Sequence, residues 1–385
     1  MKKGIALLIS VALMTTGLIG CGSKTTETAS TDSTVTESSA DTQSTASEDD
    51  GTIKSTGPNG ETAVNANTLK LTDDEIEKVK AGKYKAAISF HYGGNDWSAS
   101  QLKGLQDTFA KFGIEIVGTT DANFSAERQV TDLETLSALK PNVLIGLPTD
   151  ATATADAFKR VSNAGIKLVF MDNIPKDFKA GKDYVSCVSA DNYGNGVVAA
   201  DIIGQALKGK GTIGEVFYDV DYFVTNQRLE AFEKTMKEKY PNIKVVSKMG
   251  FTNVNQSSTV ADAMLTQNPK LDAIFAHWDV AAEGVLSSIK AAGRNEVKVS
   301  TIDLGNNIAK EIAQGTVLGL GAQLPYDQGV AEATLAAYSL LGKEAPPYVA
   351  VPAKKVDKNN LVQAYKDVYH VDAPDWLVEA ATQNK

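Results

Sequence analysis

The sequence predicts an α/β fold with two domains, each a doubly wound parallel sheet that carries helices on both faces. Strand-like and helix-like runs alternate from Lys85 onwards, as is typical of parallel sheets. The alternating region is about 300 residues long, which is too many for one comfortable hydrophobic core. Several predicted strands end in a carboxylate, and ligands bind at that edge of a parallel sheet.

The first 20 residues have the composition of an export signal, with Lys2, Lys3 and an apolar run. The run is too short and too interrupted to span a bilayer as a mature helix. It ends in Leu18-Ile19-Gly20-Cys21, which resembles the lipobox of bacterial lipoproteins, whose cysteine becomes the lipidated first residue. The alternative is an ordinary signal peptide with a chance cysteine. We expect an anchor on Cys21 at the extracytoplasmic face of the cell membrane.

Composition limits the partners and the chemistry. The formal net charge is −9, so we expect neither nucleic acid nor anionic lipid as a partner. Only two cysteines occur, so a lipidated Cys21 leaves Cys187 with no intrachain partner. The apolar surroundings of Cys187 predict a small core residue. A disulfide scaffold and a cysteine-rich metal site are excluded.

Residues 21–70 are rich in Ser, Thr, Ala and acidic residues and contain few large apolar side chains. Such a segment cannot bury enough surface to fold, so we expect a disordered tether. Thr72 and Glu75 then have the spacing of a capping box, which predicts a short helix that ends near Gly82.

Ten strands are predicted in the alternating region, most of them separated by a helical pattern. Helices are expected from about Ala99, Ser125 and Ala153 in the first half. The strands are residues 86–92, 114–120, 142–148, 167–172, 183–190, 211–218, 243–250, 271–278, 298–304 and 317–324.

One motif suggests a nucleotide site and is rejected. Gly209-Lys210-Gly211-Thr212-Ile213-Gly214 matches G-x-G-x-x-G, but it follows a predicted helix and opens a strand. The dinucleotide fingerprint needs the reverse order, so we interpret this stretch as a helix C-cap and turn. The three histidines do not have metal-ligand spacing. We predict no cofactor, no metal and no catalytic residue.

Polar side chains follow three predicted strands. Asp172 and Asn173 come after KLVFM, Trp278 and Asp279 end LDAIFAHWD, and Asp303 ends VKVSTID. An aspartate at the N-cap of the next helix is the alternative for each carboxylate. Three such endings with an aromatic among them favour a binding cleft for a polyhydroxylated molecule.

A glycine-bearing loop after the first strand is the strongest local signal. It comprises His91-Tyr92-Gly93-Gly94-Asn95-Asp96-Trp97 and precedes a predicted helix. An indole at a sheet edge can pack on the C–H face of a sugar ring. The alternative is that Trp97 only covers its own helix.

The chain resembles the ribose- and pentose-type periplasmic binding proteins, the sugar-binding members of the type I solute-binding family. The resemblance covers about Lys85 to Lys354 and rests on seven stretches taken together, not on any one. They are GNDWSASQLKG, KLVFMDN, VSADNYGNGVVAADII, TNQRLEAF, AIFAHWD, TIDLGNN and GAQLPYDQGVAEA.

The resemblance implies two similar lobes joined by a three-strand hinge, with crossings near Ala190-Asp191, Ala322-Gln323 and Val351. The N-terminal lobe would comprise residues 84–189 plus 324–350, and the C-terminal lobe 190–322. Residues 351–385 would supply the last crossing and a tail that packs on the lobes.

Nine ligand-binding residues are implied by the resemblance, position by position. They are Asn95, Trp97, Asp172, Asn173, Asn226, Trp278, Asp279, Asp303 and Gln323. Ribose binders have arginine at the positions of Asn173 and Asn226, so ribose itself is not implied. Uncharged donors and two tryptophans suit a small neutral sugar or polyol. Arg228, two residues past Asn226, is expected to point away from the pocket.

The family implies a monomeric receptor, not an enzyme, that captures its ligand by hinge closure and delivers it to an ABC permease. A receptor for a sugar-like autoinducer or a chemosensory receptor would share the fold. An exported glycoside hydrolase that uses Asp172 and Asp303 as its carboxylate pair is a further alternative. A transcription regulator is disfavoured, because an export signal stands where a DNA-binding helix-turn-helix would be.

Overall fold

The computed structural model of the protein describes residues 51–383, which contain thirteen strands and twelve α-helices. The strands are β1 (Val64–Asn65), β2 (Lys85–Phe90), β3 (Glu115–Asp121), β4 (Val143–Gly146), β5 (Lys167–Met171), β6 (Ser186–Ala190), β7 (Lys210–Tyr218), β8 (Asn242–Phe251), β9 (Ala273–Ala276), β10 (Lys298–Ile302), β11 (Val317–Ala322), β12 (Tyr348–Val351) and β13 (Lys354–Asp357). The helices are α1 (Asp73–Ala81), α2 (Asp96–Phe112), α3 (Ala126–Ala138), α4 (Ala155–Asn163), α5 (Asn192–Ala206), α6 (Phe223–Lys239), α7 (Ser257–Gln267), α8 (Asp279–Ala291), α9 (Asn306–Gln314), α10 (Pro325–Leu341), α11 (Leu361–Tyr369) and α12 (Asp375–Gln383).

The strands form two separate sheets, one in each of two lobes. Lobe 1 holds a seven-stranded parallel sheet in the order β1-β12-β6-β5-β4-β2-β3. Lobe 2 holds a six-stranded sheet in the order β13-β11-β10-β9-β7-β8, in which only β13 is antiparallel to its neighbour. The central strands are buried along their length, so helices must cover both faces of each sheet. The predicted fold class is confirmed.

The chain passes between the two sheets at three places, and these crossings form the hinge. It leaves lobe 1 after β6, returns after β11 and leaves again between β12 and β13. The first two crossings place Asp191 at the N-cap of α5 and Gln323 just before α10.

Helices α2 and α10 pack closely against each other in lobe 1, next to the hinge. A Cβ atom added to Gly104 of α2 would lie 2.2 Å from the carbonyl oxygen of Tyr326 in α10. Only glycine lets the two helices approach so closely, and Gly329 on α10 meets α2 in the same way. Cys187 is fully buried in the core of the same lobe, as predicted.

Two local predictions are also confirmed. Thr72 and Glu75 form a reciprocal capping box that starts α1, because each side chain accepts the backbone N–H of the other. The G-x-G-x-x-G stretch lies between the end of α5 and the first half of β7, so it opens a strand rather than a helix.

The tether prediction is wrong for residues 51–70, which pack on the lobes. The backbone N–H groups of Lys54 and Ser55 donate to the carboxylate of Asp191 at 2.9 and 2.8 Å. The strand β1 pairs with β12 at the edge of the lobe 1 sheet. The segment is held by backbone hydrogen bonds, one set of them to a buried carboxylate. Its few apolar side chains also pack against the lobe 1 core, namely Ile53, Ala63, Val64, Ala66 and Leu69. The export signal, Cys21 and the tether up to residue 50 lie outside the described residues.

The C-terminal helices α11 and α12 pack on lobe 2, with Leu377 fully buried in its core. The hydroxyl of Tyr365 donates to Asn306 Oδ1 of α9 at 3.0 Å. His370 Nε2 lies 3.0 Å from Asp327 Oδ1 of α10, so the tail also contacts lobe 1 across the hinge. No helix within residues 51–383 is long and apolar enough to cross a membrane.

Candidate functional site

A cavity of about 300 Å³ lies between the lobes, at the carboxyl ends of their parallel strands. Loops rather than helices cover this edge of each sheet, which is where open α/β folds bind ligands. Lobe 1 contributes His91, Tyr92, Asn95, Trp97, Phe124, Leu147, Thr149 and Asp172. Lobe 2 contributes Tyr218, Tyr222, Val224, Thr225, Arg228, Thr252, Asn253, Val254, Trp278, Val280 and Asp303, and Gln323 comes from the second hinge crossing.

Asp172 is the carboxylate of the lobe 1 wall. It directly follows β5 and has a φ of 53°, a region that non-glycine residues rarely adopt. Its N–H donates to the carbonyl of Val188 at 2.7 Å, which fixes this conformation. Its Oδ1 accepts from Ser189 Oγ at 2.7 Å and Gln328 Nε2 at 3.3 Å. Burial raises the pKa of Asp172 to about 6, against the effect of these hydrogen bonds.

Asp303 is its counterpart on the lobe 2 wall and has the same backbone feature. It follows β10 with a φ of 73°, and its N–H donates to the carbonyl of Gly321 at 3.1 Å. Its Oδ1 accepts from Gln323 Nε2 at 2.7 Å. Burial raises the pKa of Asp303, although the positive charge of Arg228 opposes the rise. Neither Asp172 nor Asp303 caps a helix, so the N-cap alternative does not hold for them.

Arg228 of α6 supplies the positive charge of the cavity wall. Its Nε donates to Asn192 Oδ1 at 2.9 Å, and its Nη1 donates to the carbonyl of His277 at 3.3 Å. The same Nη1 lies 3.7 Å from Asp303 Oδ2. The residue is only 4% exposed. The expectation that Arg228 points away from the pocket is therefore wrong.

Aromatic rings cover the two sides of the cavity. On lobe 2 the ring of Trp278 meets that of Tyr218 edge to face, with centroids 5.4 Å apart. On lobe 1 the Trp97 ring meets His91 in a similar way at 6.3 Å. Burial lowers the pKa of His91 to about 4, so its imidazole is neutral at physiological pH.

The lobes touch each other around this cavity. The ring of His91 stacks on that of Tyr222 across the cleft, with centroids 6.4 Å apart. The hydroxyl of Tyr222 donates to the carbonyl of Pro148 at 3.3 Å. On the side of α9, the N–H of Asn306 donates to Asp96 Oδ2 at 2.8 Å. These contacts join lobe 2 groups to lobe 1 groups without passing through the hinge.

Several polar atoms on the wall have no hydrogen-bond partner in the described part of the chain. They are His91 Nδ1, Trp97 Nε1, Thr149 Oγ1 and Gln323 Oε1, all of them buried. A buried polar atom without a partner costs free energy, so such atoms in a cavity indicate where a ligand completes the hydrogen bonding. Residues 51–383 contain no group of three or more His, Cys, Asp or Glu side chains that could hold a metal ion.

The protein-family model described as "Periplasmic binding protein domain" matches residues 86–344 of the chain. The chain belongs to the periplasmic binding protein family. It is 24% identical to the ribose import binding protein of Escherichia coli over 69% of this chain and 87% of that protein. It is 28% identical to the D-ribose/D-allose-binding protein of Pseudomonas aeruginosa over 61% of this chain and 73% of that protein.

A solved structure of the same fold is an ABC transporter periplasmic solute binding protein from Actinobacillus succinogenes with bound D-allose. Its TM-score is 0.66 at 25% identity, and the match covers 72% of this chain and 99% of that one. The two-lobed arrangement with a cleft between the sheets is thus shared with a binding protein that holds its ligand.

Six of the nine predicted ligand-binding residues line the cavity of this periplasmic binding protein, and three do not. The six are Asn95, Trp97, Asp172, Trp278, Asp303 and Gln323. Asn226 is exposed and donates from Nδ2 to Asp221 Oδ1 at 2.9 Å. Asn173 and Asp279 are buried beside the wall rather than on it. Asp279 is the first residue of α8, whose N-cap is Trp278, and its Oδ1 accepts the N–H of the adjacent Val280 at 2.8 Å, so it is not the N-cap that the alternative expected.

Arg228 and Tyr218 line the cavity but were not among the predicted ligand-binding residues, although the sequence pattern around each of them indicates its position. Tyr218 is the last residue of β7, so the strand-end rule that selected Asp172 applies to it equally. Arg228 lies between Val224 and Phe232 at intervals of four, on the buried stripe of α6. A cation on the apolar stripe of a helix must meet a buried partner.

Proposed function

We propose that this protein is the extracytoplasmic ligand-binding component of an ABC importer and that it captures a small sugar or polyol. The observation that carries the proposal is the cavity between the lobes, with one carboxylate from each lobe and aromatic rings on both sides. Carboxylates accept hydrogen bonds from hydroxyl groups, and aromatic faces pack on the C–H surface of a sugar. The family, and the ribose and allose binders among its relatives, support the same conclusion.

Binding is proposed to work by closure of the lobes about the three hinge crossings. Asn95, Trp97 and Asp172 hold the ligand from lobe 1, while Trp278 and Asp303 hold it from lobe 2. A ligand that contacts both walls stabilises the closed form by its differential affinity for that form. The closed form then presents one surface to the permease. The ligand is released unchanged, so no enzymatic step is proposed.

The test is a thermal-shift and calorimetric screen of pentoses, hexoses and four- to six-carbon polyols. A ligand at 100 times its dissociation constant stabilises the protein by about 2.7 kcal/mol, a shift that such a screen detects. Asp303→Ala should lower the affinity for any hit by about ten- to a hundredfold, the range for a hydrogen bond to a charged group. Asp262→Ala, at an exposed position on α7, is the matched control. Chemical conversion of a hit by the purified protein would contradict the binding role.

We further propose that Cys21 carries a lipid that holds the protein at the membrane. The LIGC junction supports this anchor. Cys21→Ser should leave the protein exported but shift it from the membrane fraction to the medium or periplasm, with ligand affinity unchanged. Retention of the variant in salt-washed membranes would refute the anchor without affecting the binding role.

A further inference from the structure

The cavity wall carries more negative than positive charge. Its ionisable charged residues are Asp172, Asp303 and Arg228, so one cation faces two carboxylates. Arg228 is already held by the protein, through its hydrogen bonds to Asn192 and the carbonyl of His277. Both imidazoles near the site are neutral, because burial lowers the pKa of His91 to about 4 and that of His277 to about 3.

The groups around the cavity add no positive charge. Asp279 lies behind the wall, where burial and the neighbouring Asp303 carboxylate raise its pKa well above its ordinary value, which favours its neutral form. Asp121 is the charged neighbour of His91, and Asp150 is that of Tyr218. Clefts lined by one sign of charge attract ligands of the opposite sign. An anionic sugar, such as a uronic acid or a sugar phosphate, is therefore a poor fit.

Asp172 has an oxygen atom that the protein does not use. Both of its side-chain hydrogen bonds, from Ser189 and Gln328, go to Oδ1. Among residues 51–383, no donor reaches its Oδ2. A buried carboxylate is stabilised most by a charged donor, because such a donor supplies a hydrogen bond and the missing counter-charge together. A neutral hydroxyl supplies only the hydrogen bond.

The aromatic rings of the cavity wall also favour a positively charged ligand. Trp97, Tyr218, Tyr222 and Trp278 all line the cavity. Aromatic faces attract a cation through their quadrupole, and the attraction is stronger where the cation leaves water. The remaining wall residues offer amide and hydroxyl groups, including Asn95, Thr149 and Gln323, which suit the hydroxyl groups of a carbohydrate.

We propose that the preferred ligand is an amino sugar or amino polyol, whose protonated amine binds Asp172 and whose hydroxyl groups bind the rest of the wall. This inference rests on the proposed function and narrows its substrate class. The amine supplies the positive charge that Arg228 alone does not, while the sugar-binding geometry of the cleft is kept.

The experiment compares matched pairs of ligands by isothermal titration calorimetry at pH 7.5. The pairs are glucosamine with glucose, galactosamine with galactose, mannosamine with mannose, and 1-amino-1-deoxyglucitol with glucitol. At least one amine should bind ten times or more tightly than its neutral partner. Its N-acetyl derivative, which lacks the charge, should lose that advantage.

Asp172→Asn keeps the shape of the side chain and removes its charge. It should weaken both ligands, but it should weaken the preferred amine at least tenfold more than the neutral partner, whereas Asp262→Asn on the exposed face of α7 should change neither. Circular dichroism and thermal melting establish that the variant is folded. If neutral ligands bind as tightly as their amines, the inference is overturned and the sugar-binding function stands. If neither class binds, the proposed function itself fails.

Discussion

Replacement of Arg228 by methionine tests the electrostatics of the site most directly. The guanidinium is buried, and its loss removes two hydrogen bonds, to Asn192 and to the carbonyl of His277. It also leaves Asp303 without the positive charge that lies 3.7 Å from its Oδ2. Removal of one partner of a buried ion pair typically costs about 3–5 kcal/mol, because the other charge stays buried and uncompensated. We expect a loss of that size at pH 7.5.

The pH dependence of this loss follows from the carboxylates. Burial raises the pKa of Asp172 from 3.8 to about 6, which corresponds to about 3 kcal/mol in favour of unfolding above pH 6. Because the folded-state pKa is the higher one, the contribution of Asp172 to stability is most favourable below about pH 4 and is lost as the pH rises to about 6. Arg228 opposes this rise at Asp172 and at Asp303. Without Arg228 the pKa values of Asp172 and Asp303 rise further. The Arg228→Met variant should therefore lose less stability in acid than at neutral pH.

Urea denaturation of the wild type and Arg228→Met at pH 4.5 and pH 7.5 measures both effects. Arg160→Met is the control, since Arg160 makes an exposed ion pair with Glu134 at 3.1 Å. Such surface pairs contribute between 0 and about 1 kcal/mol, so this control should change little at either pH. A loss below about 1 kcal/mol for Arg228→Met, or an equal loss at both pH values, would refute the reasoning.

The remaining predictions concern the closure signal and the hinge. Trp97→Phe and Trp278→Phe should each remove part of the ligand-induced change in intrinsic fluorescence and weaken binding, because both indoles line the cavity. Trp376→Phe should keep the signal, since this ring packs in the tail under Lys310; loss of the signal in that variant alone would place the closing cleft elsewhere. Asp191→Ala should cost about 1–3 kcal/mol by urea denaturation, the range for a buried acceptor that leaves its donors unsatisfied, and proteolysis near residue 55 should accelerate; unchanged proteolysis would argue against Asp191 as the group that orders that segment.

The strand ends were predictable because the topology of a parallel sheet determines where they meet. Asp172 and Asp303 follow buried strands, so each was placed at the cleft before any contact was known. The predictions that Asn226 lines the pocket and that Arg228 points away from it were wrong for one reason: the face of α6 that meets the cleft was assigned incorrectly. The phase was taken from the resemblance rather than from the buried stripe of Val224 and Phe232, and a shift of two residues turns a helix through about 200°.

Composition and sequence spacing did not predict that residues 51–70 are ordered. This stretch has few apolar side chains, and its residues Lys54 and Ser55 are held by Asp191, which lies 137 and 136 positions further along the chain. No local pattern contains that information. The loop that ends in Trp97 could be predicted from local sequence, because its glycines, its polar N-cap and its aromatic ring all lie within seven residues.

The contact between Ser55 and Asp191 is a point at which the N-terminal segment is attached to the two lobes. Asp191 is the first residue of the first hinge crossing, so the chain that arrives from residue 51 is fastened at this crossing, and Asn65 of the edge strand β1 also holds it by donating to the carbonyl of Gly51 at 3.2 Å. Neither Asp191 nor the segment attached to it lines the cavity, so the lobes can open and close around the ligand while these contacts are kept. Ligand affinity should therefore be insensitive to the length of the segment that precedes residue 51.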